Sequence, residues 1–361
     1  MASKSYNVGV IGYGLSAKVF HIPFILVTPT FKLHSIVQRT PKPNDDASKD
    51  HPSAKIYHSA DDMFADSSID IIIVTTTPDT HFSFTKSALE AGKHVLVEKP
   101  FVPTSAEAQQ LIDISSKTGK LICVYQNRRW DSDFLTARKL MADGKLGRVV
   151  EFETHFDRYK PVAPETWKGK LGMNDAGGVI YDLGTHLIDQ AYILFGLPKT
   201  VTAVFANQRN DSEEEPDSIT VLLNYGVAGP LVTVKAGVMC IDTEQLRYWI
   251  RGTEGSFKKF HLDPQEDQLK AGSSKPGDSG FGVESEDRSG KLVTLEGDTH
   301  KQTVVKNLKP VTYAKLYEEF SKAIEGGGEK QIPVKASEAR DVLKIIEAAR
   351  ESAKSGKSVT L

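Results

Sequence analysis

Cysteine is nearly missing from this chain. Among 361 residues there are two, Cys123 and Cys240, far apart and with no Cys/His cluster around them. That excludes a disulfide scaffold and a zinc module and fits a reducing compartment. Each follows apolar residues, so both are expected to be small buried core thiols. An excess of one charge is missing too: 45 Lys and Arg face 47 Asp and Glu, a net charge of −2. Nothing sequence-wide therefore attracts a phosphate polymer or an anionic membrane, and neither nucleic acid nor membrane is expected as a partner. No stretch approaches the roughly 18–20 consecutive apolar residues that cross a bilayer. Met1-Ala2-Ser3-Lys4 leads into a strand-like run without a signal-peptide core, and Ser358-Val359-Thr360-Leu361 is not a peroxisomal tripeptide. The expectation is a cytoplasmic protein. No His/Cys/acid pattern has ligand spacing, so no metal site is expected.

What is present is an ordinary globular composition, 39% hydrophobic and 25% charged. At roughly 100–200 residues per domain, it makes one large domain or two ordinary ones. Tyr6–Ile11, Lys32–Gln38, Asp70–Thr75, His94–Glu98 and Leu121–Tyr125 are short runs rich in Val and Ile, separated by helical stretches. Continuous apolar runs suit strands buried on both faces, and the β-α alternation predicts a doubly wound parallel sheet. Thr104-Ser-Ala-Glu107 reads as a capping box opening a helix to about Lys117, with Gly119 beyond its end. After about Arg128 the character changes. Val150, Phe152, Thr154 and Phe156 alternate with Glu151, Glu153, His155 and Asp157, the period of a sheet with one buried face. Strand candidates follow at 200–206, 218–225, 231–239, 245–251 and 256–262. A run of strands without helices predicts an α+β domain on a large, mostly antiparallel sheet. The expected division is 1–128 and 129–361. Asp263–Gly290, rich in Gly, Ser, Pro and acids, reads as a long exposed loop, and Ala336–Ser355 as a helix packed on the sheet.

The first strand runs into Gly12-Tyr13-Gly14-Leu15-Ser16-Ala17. Gly12 makes the tight turn, Gly14 lets backbone amides approach a pyrophosphate, and Ala17 permits close helix–strand packing. At the end of the second strand, where NAD binders place an acid for the ribose 2′-hydroxyl, stand Gln38 and Arg39, and the next acid is Asp45. A guanidinium there suits a 2′-phosphate, which favours NADP over NAD; the plainer alternative is a solvated turn residue.

These residues resemble the glucose–fructose oxidoreductase/inositol dehydrogenase/MocA (Gfo/Idh/MocA) family over essentially the whole chain. The resemblance is carried by Gly12–Ala17, Thr75–His81, Glu98-Lys99-Pro100 and Gly177-Gly178-x-x-Tyr181-Asp182-x-Gly184-x-His186. Gly14–Phe24 and Leu262–Glu266 look like the branch containing NADP-dependent scyllo-inositol dehydrogenases. The resemblance implies a cofactor domain followed by a substrate-binding and oligomerisation domain. It makes Lys99 catalytic, implies a cis Lys99–Pro100 bond, and makes His186 the general acid/base with Asp182 holding substrate or orienting the ring. Thr75, Thr76, Thr77, Pro78, Thr80, His81, Glu98 and Asn127 would line the cofactor, and Trp167 and Lys168 would reach it. Trp-Arg is frequent in the family at that pair, so Lys168 is a departure. Arg128, Arg129, Trp130, Arg158 and Tyr159 are candidates for the substrate cleft.

The residues also have readings of their own. A strand-end lysine is ordinarily solvated, but at the carboxyl end of a doubly wound sheet it can polarise a substrate oxygen. Asp182 and His186, four apart on a helix from Gly178 to Phe195, share a face; on their own they read as a surface ion pair, and a histidine fits the acid/base role that the resemblance implies because it exchanges protons near neutral pH. The expected activity is NADP(H)-dependent hydride transfer on a sugar, polyol or inositol, by a homo-oligomer, dimer or tetramer. The alternatives are a reductase or dehydrogenase of another carbonyl or dihydrodiol, and a non-catalytic NADP-binding regulator on the same scaffold.

Overall fold

Six short strands near the N-terminus supply the first sheet: β1 (Tyr6–Ile11), β2 (Phe31–Val37), β3 (Lys55–Tyr57), β4 (Ile71–Val74), β5 (His94–Val97) and β6 (Ile122–Val124). In this computed structural model, which describes residues 4–210 and 215–361, they lie in the order β3-β2-β1-β4-β5-β6, every pair parallel. Met1–Ser3 of the N-terminal reading lie outside the described residues. Val8, Val10, Ile71–Val74 and Val95–Val97 are fully buried, which is why these strands are apolar without alternation. The order reverses between β1 and β4, and ligands of such sheets gather beyond the strand carboxyl ends at that point.

The capping box forms as expected. The Glu107 amide donates to Thr104 Oγ1 at 3.2 Å, and the Thr104 amide donates to Glu107 Oε2 at 3.1 Å. The helix runs Ser105–Thr118, and Gly119 (φ +68°) ends it in the left-handed region.

The chain divides into two compact units. The first takes the residues up to Asn127 together with Glu266–Phe281 and Thr312–Arg340. Two of these segments depart from the sequence reading. Asp263–Gly290 is not one exposed loop: it carries a helix at Gln265–Ala271, and Asp263, Gln265 and Phe281 are buried. The polar composition misleads because Asp263 is spent on backbone amides, accepting from Ser132 at 2.7 Å and Gln265 at 2.9 Å. Phe281 meets Phe24 at 6.1 Å, and the helix Ala314–Lys322 stacks Tyr317 on Phe24 at 5.5 Å.

The second unit, Arg128–Gln265 with Gly282–Val311 and Asp341–Leu361, holds a nine-stranded sheet. Its strands are β7 (Val149–Asp157), β8 (Thr200–Ala206), β9 (Ser218–Asn224), β10 (Leu231–Gly237), β11 (Leu246–Gly252), β12 (Gly255–Phe260), β13 (Gly290–Glu296), β14 (Thr299–Val305) and β15 (Val359–Thr360). The order is β14-β13-β12-β11-β7-β10-β9-β8-β15, antiparallel except for β7 with β10. Phe152, Thr154 and Phe156 are buried, whereas Glu151, Glu153, His155 and Asp157 line the opposite, open face. The β13–β14 hairpin escapes the sequence reading because Thr299–Val305 is polar and almost wholly exposed. In this unit Val342, Leu343, Ile345 and Ile346 are buried, and Ser352 Oγ accepts the Ala203 amide of β8 at 2.9 Å. Cys123 is buried as expected; Cys240 is half-exposed, because its strand ends at Gly237 and the chain turns outward.

Candidate active site

The turn after β1 is shaped for a close ligand. Gly12 has φ +99°, and a Cβ there would stand 3.0 Å from Thr75 Oγ1, so only glycine fits. Around Gly14 a Cβ would meet nothing within 4 Å, leaving open space beside the backbone where a pyrophosphate could lie. Ala17 is fully buried under the turn. The helix that follows begins with a π turn, Ser16–His21, before continuing as Ile22–Val27. Thr75 Oγ1 donates to the Ile11 carbonyl at 2.9 Å, tying the carboxyl ends of β4 and β1 together. Thr80 Oγ1 donates to the Thr77 carbonyl at 2.7 Å and lies 2.7 Å from Thr76 Oγ1, and Pro78 is buried. His81 is buried with its ring nitrogens 2.9 Å from the Pro100 carbonyl and 3.1 Å from that of Thr76. Burial lowers its pKa despite these two acceptors.

Not every expected cofactor residue points a side chain at the turn. Gln38 is turned into its own loop, donating to the Asp45 carbonyl and accepting the Ala47 amide. Tyr13 is buried, its hydroxyl donating to Asp50 at 2.7 Å, while Leu15 is exposed. Asp45 pairs with Lys18. Arg39 is exposed and makes no hydrogen bond or ion pair among the described residues. The acids that follow β2 are therefore engaged, and the guanidinium at its end is not.

At the end of β5, Glu98 is the hub. Its Oε1 accepts from Ser16 Oγ and from His21 Nε2, the latter at 3.1 Å, and its Oε2 accepts the Lys99 amide at 2.9 Å. Burial opposes its ionisation, but the hydrogen bond and charge of His21 outweigh it, and the carboxyl lies at about 2. His21 Nδ1 is 2.9 Å from the Tyr317 hydroxyl. Lys99 is partly buried, and the Lys99–Pro100 peptide is cis, as the resemblance implies. Asn127 is buried in the same unit.

In the second unit, Asp182 and His186 sit on one continuous helical stretch, though not a regular one. Ile180–Gly184 is a π turn and Thr185–Phe195 an α-helix, so the wider ladder lies between the two residues; π turns recur at functional sites. The turn fits because Gly184 offers no Cβ, which would stand 2.9 Å from Ile219 Cδ1. His186 is buried at 5% exposure and lies along Phe156, ring centroids 6.4 Å apart. The guanidinium carbons of Arg128 and Arg158 lie 4.6 and 4.7 Å from the centroid of that Phe156 ring. Lys168 Nζ donates to both oxygens of Asp182, at 2.8 and 3.0 Å. Trp167 and Tyr159 are exposed, and Trp130 is buried. Arg129 is held by Asp189 through two hydrogen bonds of 2.8 and 2.6 Å, which makes it a buried ion pair.

The sequence reading passed over His21, Ser16, Tyr317 and Phe156. A signal existed for the first: a histidine inside the apolar Val19-Phe20-His21-Ile22-Pro23 is buried only with a partner. Tyr317 carried none, since only the fold brings it to His21.

Residues 6–126 match the model of an oxidoreductase family's NAD-binding Rossmann fold, and residues 138–361 that of the same family's C-terminal alpha/beta domain. The chain is 37% identical over 356 residues to the scyllo-inositol 2-dehydrogenase (NADP(+)) IolW of Bacillus subtilis, covering 98% of this chain and 96% of that one. It is 36% identical over 368 residues to an uncharacterized oxidoreductase, C115.03, of Schizosaccharomyces pombe, covering 98% of each. Among solved structures, an oxidoreductase from Bacillus cereus superposes with a TM-score of 0.87 at 29% identity, covering 99% of each chain.

Proposed function

This chain belongs to the Gfo/Idh/MocA family of oxidoreductases, and on that footing we propose that it is an NADP(H)-dependent dehydrogenase or reductase of a sugar, polyol or inositol. The observation that carries the cofactor half is the unengaged Arg39 beside the engaged Asp45 and Asp50. A 2′-phosphate meets a guanidinium there, and no unpaired acid competes for the ribose. The IolW relative, an NADP-dependent scyllo-inositol dehydrogenase, supports the substrate half.

When bound, the nicotinamide cofactor supplies hydride transfer, which no side chain can perform. Gly12 and Gly14 leave room for its pyrophosphate, and Thr75, Thr76, Thr77, Pro78, Thr80, His81 and Asn127 form the wall beyond the strand ends. Lys99 donates a hydrogen bond to the reacting oxygen and favours its alkoxide character. His186 takes the hydroxyl proton in the oxidative direction and returns it in the reductive one, work suited to an imidazole, which can accept or donate a proton. Asp182, oriented by Lys168, fixes a substrate hydroxyl or the imidazole. Arg128, Trp130, Arg158 and Tyr159 are the substrate-side residues of this reading. In this reading the first unit is the cofactor half and the second the substrate half. The second half also assembles copies of this chain in the cytoplasm, through the open sheet face where Val204, Leu222 and Leu231 are exposed.

The test is a cofactor-reduction screen of purified protein over aldoses, ketoses and inositols with NADP and with NAD. Turnover with NADP on at least one polyhydroxylated compound is the expected result. Cofactor binding without turnover on any of them would make the protein a sensor instead.

A further inference from the structure

At the end of the first sheet opposite the Gly12 turn, where β1, β4, β5 and β6 begin, lies a cavity of about 480 Å³. Lys4, Tyr6, Asp70, Lys93, His94 and Lys120 bring its polar groups. The hydride chemistry proposed above uses none of them.

The donors outnumber the acceptors. Three lysines and a histidine line the space. Asp70 is partly committed, since its Oδ2 accepts the Asn7 amide at 2.8 Å. The other nearby acid, Glu325, acts with Asp70 on the Tyr6 hydroxyl. His94 Nδ1 accepts the Leu121 amide at 3.1 Å, so the proton of the neutral ring stands on Nε2 and that nitrogen is a donor. Burial, then the charge of Lys120, pushes His94 down to about 4, so the ring remains a neutral donor at physiological pH.

Lys93 is the telling residue. It is 5% exposed, yet the one hydrogen-bond partner of its ammonium among the described residues is the Asp66 backbone carbonyl, at 2.7 Å. No carboxylate lies within ion-pair distance of it among the described residues, and the charges of Asp66 and Asp70, acting from farther off, do not offset its burial. A buried cation held by a neutral acceptor is costly unless an anion completes it. Lys120 makes no side-chain hydrogen bond among the described residues, and Lys4 rests over the Tyr6 ring at 5.1 Å. Ammonium groups that converge on one cavity with few acceptors of their own are a recognition set for tetrahedral oxyanions.

We propose that this cavity binds a phosphate group, free or as the ester of a small molecule, at a site separate from the dinucleotide turn. Lys93 and Lys120 hold the oxyanion, and His94 Nε2 donates to it. Bound phosphate, a monoanion at the acid pH where His94 titrates, still favours the imidazolium over the neutral ring, so His94 reports occupancy.

The experiment follows the His94 ring by NMR in the full-length protein as inorganic phosphate is added, and in a second arm glycerol 3-phosphate. Expected is a rise of about one unit or more in the His94 titration midpoint at about 10 mM probe. Lys120→Ala should weaken binding about tenfold or more while leaving cofactor affinity unchanged, since Lys120 takes no part in the dinucleotide turn. Lys4→Ala should weaken it less. A tighter response to glycerol 3-phosphate identifies an ester as the ligand, and an equal response identifies free phosphate. A His94 midpoint indifferent to both probes, or a response that persists undiminished in the Lys4→Ala/Lys120→Ala protein, overturns the proposal.

Discussion

His21 and Glu98 meet at 3.1 Å, Nε2 to Oε1, with the histidine fully buried and the carboxylate nearly so. Through this pair, the helix that follows the dinucleotide turn is fastened to the residue whose carboxylate also holds the Lys99 amide. Removing one member of a buried pair strands the other, at a cost of about 3–5 kcal/mol. His21→Ala should therefore lower the unfolding free energy by about that amount and weaken cofactor binding with it.

The same carboxylate fixes an acid limit. Glu98 titrates at about 2 in the folded protein, against about 4.3 for an unfolded glutamate. Its stabilisation is complete above the unfolded value and is lost as pH falls from there through about 2. Denaturation from pH 6 to pH 2 should show Glu98→Gln losing less stability than the parent over the lower half of that range. Parallel curves would refute the assignment.

Asp263 acts with the opposite sign. Burial, then the charge of Asp133, raises it to about 6, above the roughly 3.9 of an unfolded aspartate. A raised carboxyl favours the folded state fully below the unfolded value, and that contribution disappears as pH rises through about 6. The stake is about 2–3 kcal/mol by linkage. Glu284, raised by burial to about 7 in the same unit, adds to the trend. Urea midpoints between pH 4 and pH 8 should fall more steeply in the parent than in Asp263→Asn.

Arg39 carries the cofactor half of the proposed function. Arg39→Ala should weaken NADP by about 10–100-fold, the range of one charge-assisted contact, and leave NAD nearly untouched. Titration of the apoprotein with each cofactor reads this out, and an equal loss for both would assign Arg39 to something other than the 2′-phosphate.

For the chemistry, His186→Ala should cut turnover by about 10²–10⁴-fold with cofactor affinity preserved, and Lys99→Ala should behave likewise. Asp182→Asn should divide its effect between kcat and KM according to whether it orients the ring or binds substrate. Normal kcat in His186→Ala, with chemistry limiting, would refute the acid/base role.

The parallel sheet was legible in the sequence because β1, β4 and β5 are buried on both faces and carry unbroken Val and Ile. The capping box at Thr104 was legible because its chemistry is local. The alternation from Val150 to Asp157 announced β7 for the same reason. What escaped was decided at a distance. Nothing near Phe281 or Tyr317 says that each packs on Phe24. The polar Thr299–Val305 is a strand only because β13 pairs with it. At the candidate site, the residue types were legible but their commitments were not: Gln38 is tied to Asp45 and Ala47, and Arg129 to Asp189.

The parallel contact between β7 and β10 also has a kinetic side. In the nine-stranded sheet, β8-β9-β10 and β11-β12-β13-β14 are each meanders of sequential neighbours, and β7 is the seam that joins them. Residues 158–230 separate β7 from β10, and residues 158–245 separate it from β11. Closing such loops costs entropy before any pairing returns it, whereas β9-β10, β11-β12 and β13-β14 close over short connections. Synthesis releases β7 before either partner exists, so Phe152 and Phe156 must wait uncovered. Pulse-labelled hydrogen exchange during refolding should find the β9-β10, β11-β12 and β13-β14 hairpins protected early and the β7 amides last. The nascent chain should be most prone to aggregate in that interval.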